Sequence, residues 1–307
     1  MTTDRSPDPL HTVATSFSAL WHALSQEGDT PRDQDETRLL VDRVRDALDR
    51  RQARIDNANA TFIANTFLLE DVVYDGNLMQ VHRIRHRDLQ TLHALKTVHP
   101  DRADDAVSRD LLLREARLSM TFGHGNILST QIVLRLSDGR PALILQWMPF
   151  KLSDRLNRDP FSLHDIQDAM TSLLSGLEAI HMAGFVHADI SPDNLLLAGR
   201  QLTGLKIADF GVTLERGQRH TDLQLAKAGH TEFSAPEQVE GRILDNRADL
   251  YSCGRILMLL VERCPDGSRE TGKLSALARY LTEHSPDNRP QDTSAVLEQL
   301  MCIGVRD

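Results

Sequence analysis

Between residues 10 and 24 the apolar positions Leu10, Val13, Phe17, Leu20, Trp21 and Leu24 recur three and four apart, which predicts an amphipathic helix. A polar break, SQEGDTPRDQDE, follows, and Thr30 before Pro31 is expected to cap a second helix that runs to about residue 56. Leu40, Val44, Leu48 and Ile55 would share one face of it. The two helices make a predicted hairpin whose apolar stripe needs cover, from the rest of the chain or from a partner. From about 67 to 100 the pattern shortens to the strand-like segments FLLEDVVY, MQVHRIRH and TLHALKTV, separated by DGN and by a polar run at 86–91. After Pro100, DAVSRDLLLREARLSMTF reads as a helix ended by the glycines of GHGN. ILSTQIVLRL and PALILQWM read as two more strands joined by the turn SDGR. Beyond about 150 the pattern is mainly helical, interrupted by short strands at NLLLAG and LKIAD. No internal repeat or low-complexity tract breaks this order, so the expected class is α+β.

Composition excludes several alternatives. A chain of 307 residues has room for one large domain or two modest ones, and 40% hydrophobic with 26% charged residues is ordinary for a soluble globular protein. The longest apolar runs, such as ILMLLV at 256–261, fall short of the ~20 residues that span a bilayer. The N-terminus MTTDRSPDPL lacks the basic-then-apolar layout of a secretory signal, so a cytoplasmic protein with no membrane association is expected. Cys253, Cys264 and Cys302 form no C-x-x-C pair, and the thirteen histidines form no H-E-x-x-H or H-x-H cluster. A formal charge of −9 argues against a nucleic-acid binder. The one arginine-rich run, RVRDALDRRQAR at 43–54, has the acids and spacing of a solvated helix face.

Chemistry enters with a series of ordered motifs. Lys96 lies in HALKTV on a predicted strand, and Glu115 lies in LLREARL on the following helix. Then come HADISPDN (187–194), IADFG (207–211), GHTEFSAPE (229–237), RADLYSCG (247–254) and DNRP (287–290). Singly each has a bland reading as surface charge or polar turn. In this order and spacing the chain resembles the eukaryotic-like protein kinases of bacterial type, over about residues 67–303.

The resemblance implies a bilobal fold: a small β-rich lobe over about 67–148 and a larger helical lobe over about 149–303. Residues 1–66 would precede it as a helical extension for packing, docking or dimerisation. It also implies transfer of the γ-phosphate of ATP to a Ser or Thr hydroxyl of a protein substrate. Lys96 would contact the α- and β-phosphates and pair with Glu115. Asn194 and Asp209 would hold Mg2+, with Mn2+ as a substitute, through the oxygen donors this hard cation requires. Asp189 would orient the substrate hydroxyl and accept its proton. Val73, Gly76, Val81, Ala94 and Leu196 would line the ATP site, Leu145 would be the gatekeeper, and the backbones of Gln146 and Met148 would meet the adenine edge. Phe210 and His187 would stack between the lobes, Glu237 and Arg289 would form a buried ion pair, and Asp249 would hold the catalytic loop from below. Small-molecule phosphotransferases share the Asp-to-Asn bend, but their resemblance predicts neither SAPE nor the Asp249 helix.

Several positions depart from the family pattern. Where a G-x-G-x-x-G run is expected, the aligned residues are Tyr74, Gly76 and Met79, which changes the grip on phosphates because glycine permits close backbone approach. Ala188 replaces the arginine that answers an activation-loop phosphate, so activity should not need that phosphorylation. Ser191 replaces a lysine at the γ-phosphate, His230 stands where a threonine is expected, and Ser119 stands where an apolar residue of the internal stack is expected. These losses keep open a pseudokinase, a nucleotide-binding scaffold that switches a partner. A phosphothreonine-reading partner and a homodimer formed through the hairpin are the other expected associations.

Overall fold

The computed structural model describes residues 9–28, 30–56, 62–158, 160–223 and 231–303. The chain divides into two compact units, residues 1–68 and 69–307. In the first, helix α1 (Pro9–Ser25) forms where the apolar stripe predicts it, and α2 (Gln34–Asp56) follows. Val13, Phe17, Leu20 and Trp21 of α1 are exposed. The side chains of Leu10, Leu48 and Ile55 lie outside the described residues.

The start of α2 differs from the expectation. Thr30 does not cap it: Thr30 and Pro31 pair with Gln26 and Glu27 in a two-residue antiparallel ladder, and the Thr30 hydroxyl donates to the Glu27 carbonyl. The helix begins three residues later behind Asp33, whose carboxylate accepts from the Asp35 N–H. An aspartate is as good a cap as threonine, and the tight reversal between the helices claims the Thr-Pro pair for itself.

From residue 69 the second unit holds the remainder of strand β1 (Phe67–Asp75), then β2 (Met79–His86) and β3 (Leu92–Val98), which lead into helix α3 (Ala106–Thr121), and β4 (Thr130–Arg135) and β5 (Pro141–Gln146) follow. They form an antiparallel sheet in the order β1, β2, β3, β5, β4. β5 lies inside the sheet between β3 and β4 and is buried on both faces from Pro141 to Leu145, which explains its near-continuous apolar sequence. Asp105 caps α3 through the Val107 N–H.

The helical part holds α4 (Leu163–Met182), then the short strands β6 (Leu195–Leu197) and β7 (Lys206–Ile207), then α5 (Asn246–Glu262), α6 (Arg269–Leu281) and α7 (Thr293–Cys302). Leu173 and Leu177 of α4, Ile256 and Leu260 of α5, Leu277 of α6 and Val296 of α7 share one core. Each such buried side chain stabilises the fold by roughly 1.5–3 kcal/mol. Gly254 lets α5 and α6 touch, since a Cβ there would lie 2.6 Å from that of Leu281. This core is the base on which the polar bend 187–194 rests.

Candidate active site

Register puts Lys96 opposite Val81 on β2 and Leu143 on β5, in the middle of the sheet. Its Nζ reaches across to α3, 2.8 Å from Glu115 Oε2, and lies 3.1 Å from Asp209 Oδ1. One buried cation therefore serves two carboxylates. Burial alone would lower the Lys96 pKa, but Asp209 and Glu115 outweigh it and hold the ammonium well above its usual range. The Glu115 carboxyl is pushed up to about 7, because burial and the nearby Asp209 charge together exceed the pull of Lys96. Asp209 goes the other way: burial would raise it, yet Lys96 and the Gly211 N–H hold it below the usual carboxylate range. The Asp209 side chain is 44% exposed. An ionised, accessible carboxylate beside a fixed ammonium is suited to a divalent cation.

Residues 187–194 form the polar bend. Asn194 donates through Nδ2 to both the carbonyl and the Oδ2 of Asp189, each at 2.8 Å, and its amide oxygen, an acceptor, has no partner among the described residues. Asp249, fully buried at the start of α5, accepts from the N–H groups of His187 and Ala188 at 2.8 Å and contacts His181 Nε2 at 2.8 Å. Burial would raise its pKa, but His181, His187 and the Ala188 N–H hold it below the usual range. Ala188 stands at φ 64, a left-handed conformation that costs an L-residue about 1–2 kcal/mol. Ser191 Oγ is buried and has no hydrogen-bond partner among the described residues. His220 is buried as well, and burial holds its imidazole below its usual pKa despite the Asp189 and Asp249 charges.

The residues expected around the adenine ring fall into two groups. Val81, Ala94, Leu145, Met148 and Leu196 share one apolar cluster with Ala208, drawn from both the sheet and the helical part. Gln146 ends β5 opposite His93 and is exposed, leaving its backbone at the edge. Val73 and Gly76 lie outside that cluster, on the β1 end and the β1–β2 turn, with Val73 47% exposed. Gly76 has a use that the sequence pattern does not disclose. The Tyr74 ring folds over it, so a Cβ at 76 would meet the Tyr74 hydroxyl oxygen at 2.5 Å. The same ring lies 5.9 Å from Lys151 Nζ, which in turn is 3.6 Å from Asp193 Oδ1 in the bend. Tyr74 thus reaches from the sheet to the helical part, a contact worth about 0.5–1 kcal/mol when exposed.

The internal stack is complete, though not as expected. His187 and Phe210 meet edge to face at 5.1 Å, and Phe210 packs at 5.4 Å on Phe122. Ser119 has partners of its own: its hydroxyl pairs with Thr130 Oγ1 at 2.8 Å and reaches the Ala116 carbonyl, while Phe122, the residue that caps the C-terminal end of α3, supplies the apolar surface against Phe210. Arg114 donates to the Thr213 carbonyl, tying α3 to the segment after Asp209. Arg289, 1% exposed, makes a bidentate pair with Glu237 at 2.7 and 2.9 Å. His230 lies outside the described residues.

Comparison with known proteins agrees with this geometry. Residues 69–302 match the protein kinase domain family. The serine/threonine-protein kinase pkn3 of Myxococcus xanthus is 26% identical over 232 residues, covering 73% of this chain and 42% of that protein. Pkn1 of the same organism is 32% identical over 184 residues, 58% of this chain and 25% of that protein, and PknK of Mycobacterium bovis is 26% identical over 260 residues, 82% and 23%. The chain spans less than half the length of each of these relatives. With its family match covering most of the sequence, the chain belongs to the protein kinase domain family.

Proposed function

We propose that the protein is an ATP-dependent serine/threonine protein kinase in which Asp189 is the base and Lys96, Glu115, Asn194 and Asp209 hold the nucleotide and its metal. The observation that carries this reading is the Lys96 ammonium shared between Glu115 at 2.8 Å and Asp209 at 3.1 Å, the assembled arrangement phosphoryl transfer requires. Asp189 would take the proton of the acceptor hydroxyl while Asn194 keeps its carboxylate oriented. Val81, Ala94, Met148 and Leu196 would enclose the adenine ring and exclude water from it. The serine/threonine choice follows the names of the relatives and the proline of SPDN. Protein substrates, a cytoplasmic setting and a hairpin used for docking or dimerisation belong to the same reading.

The donor set fits a magnesium ion. Asp209 is ionised and partly exposed, and Asn194 has an amide oxygen to spare, both hard oxygen donors. Among the described residues no group of three or more His, Cys, Asp or Glu could hold a metal alone, so water and phosphate oxygens would complete the shell. Bound there, the cation would neutralise charge building between the β- and γ-phosphates.

Purified protein with labelled ATP should incorporate phosphate into a protein substrate only when Mg2+ is present, and Asp209→Ala should remove that incorporation. Retained nucleotide binding with no transfer to any protein would instead establish a nucleotide-binding regulator, the reading that Tyr74 over Gly76 and the uncharged Ser191 favour. Among the threonines after Asp209, Thr213 is fully buried and donates to the His187 carbonyl, so it is not an exposed acceptor of phosphate. Replacing exposed Thr221 and Thr231 together with alanine should leave kcat within about 2-fold, since Ala188 offers no cation for a phosphate on either. A loss of turnover with intact ATP binding would contradict this.

A further inference from the structure

Ala188 immediately precedes Asp189, so its backbone sets where that carboxylate points. At φ 64 an alanine is in a conformation it does not choose by itself, and such a residue persists only where its surroundings dictate it. Its methyl group gives no polar hold, so both backbone groups carry the constraint. The N–H is taken by Asp249 Oδ1 at 2.8 Å. The carbonyl is taken by Gln238 Nε2 at 2.6 Å, from a residue fifty positions away and 8% exposed. The acceptor is a carbonyl, so only the amide NH2 can make this bond.

Gln238 is itself firmly placed. It sits in the short helix Pro236–Val239, its N–H bonded to the Ala235 carbonyl. The preceding residue, Glu237, is locked by Arg289 at 2.7 Å. The short helix is therefore anchored to the helical core on one side and to the backbone at 188 on the other. The family motifs give roles to Glu237, Arg289 and Asp249 and none to Gln238.

We propose that Gln238 is a positioning residue: its amide fixes the Ala188 peptide and so aims Asp189, coupling the segment that carries Ser234–Glu237 to the reacting end of the bend. This rests on the reading of Asp189 as the base.

Two variants test it. Gln238→Met keeps length and burial but donates nothing, and Gln238→Glu keeps the shape but donates only when its carboxyl is protonated. In Gln238→Met, kcat should fall about 10-fold, of the order expected for one lost buried hydrogen bond, with KM for ATP little changed and Tm lower by a few degrees because the Ala188 carbonyl loses its donor. Amide hydrogen exchange over 187–191 should quicken. In Gln238→Glu the ratio of its kcat to that of the unaltered protein should rise as pH falls. Asp189, Asp249, His181, His187 and His220 face the same bend, so Gln238→Met, which keeps all five and adds no carboxyl, is the control: its ratio should not rise as pH falls. A packing role alone would lower Tm and leave kcat per folded molecule and the pH ratio unmoved, and that result overturns the proposal. Unchanged exchange at 187–191 in Gln238→Met overturns it too, whether or not the protein turns over. Absence of turnover in the unaltered protein refutes the kinase reading separately, and exchange then decides whether Gln238 holds the bend.

Discussion

Asp189→Asn should lower kcat by about 10²–10⁴ while the affinity for Mg2+–ATP stays within a few-fold, the range expected when a general base is removed and binding groups are kept. The substitution is close to isosteric. An asparagine oxygen still accepts from Asn194 Nδ2, which now bonds Asp189 Oδ2 at 2.8 Å, so the bend has no reason to collapse. The Lys96, Glu115 and Asp209 cluster lies on other elements and is untouched. What disappears is the ability to take a proton from the acceptor hydroxyl. Single-turnover phosphate transfer measured beside nucleotide binding separates the two effects. Equal loss of both would mean that Asp189 holds the nucleotide site together and is not its base.

Arg289→Met should destabilise the protein by roughly 3–5 kcal/mol, the cost of leaving one partner of a buried ion pair alone. The guanidinium is 1% exposed, pairs with both Glu237 oxygens, bonds the carbonyls of Glu283, Arg247 and His284, and packs 4.9 Å from the Tyr251 ring. Methionine fills much of the volume but strands a buried carboxylate and three carbonyls. Calorimetry should record a fall in Tm of about 10 °C, taking 2–4 °C per kcal/mol for a domain of this size. A fall of under 2 °C would show that Glu237 takes up a proton or finds water at little cost. Turnover should fall as well, because the short helix that carries Gln238 loses its anchor.

The strands and helices of the second unit were legible because their signals are local. MQVHRIRH is a short segment set off by DGN and by the polar run at 86–91 and lies in β2, and DAVSRDLLLREARLSMTF carries its own Asp105 cap and becomes α3. The family motifs were legible for the same reason: each is short, and their order in the chain is itself the signal. Thr30 misled because a Thr-Pro pair suits a helix start and a reversal equally, and the ladder with Gln26–Glu27 decides between them. Ser119 misled because a hydroxyl in a buried position looks like a defect until its partner, Thr130 on β4, is in place.

The order of elements, the acidic and amide chemistry of 187–194, the lone Lys96 and the family to which they belong were determined by sequence alone, since each depends on residue type and spacing. Contacts between distant segments were decided only by the tertiary structure. Phe122 in place of Ser119 against Phe210, the Tyr74 ring over Gly76 and toward Lys151, and the Gln238 amide on the Ala188 carbonyl each join residues whose separation carries no periodic signal. A side chain's partner across the fold is set by how the elements pack, and packing satisfies buried polar groups with whatever donor or acceptor it brings within reach.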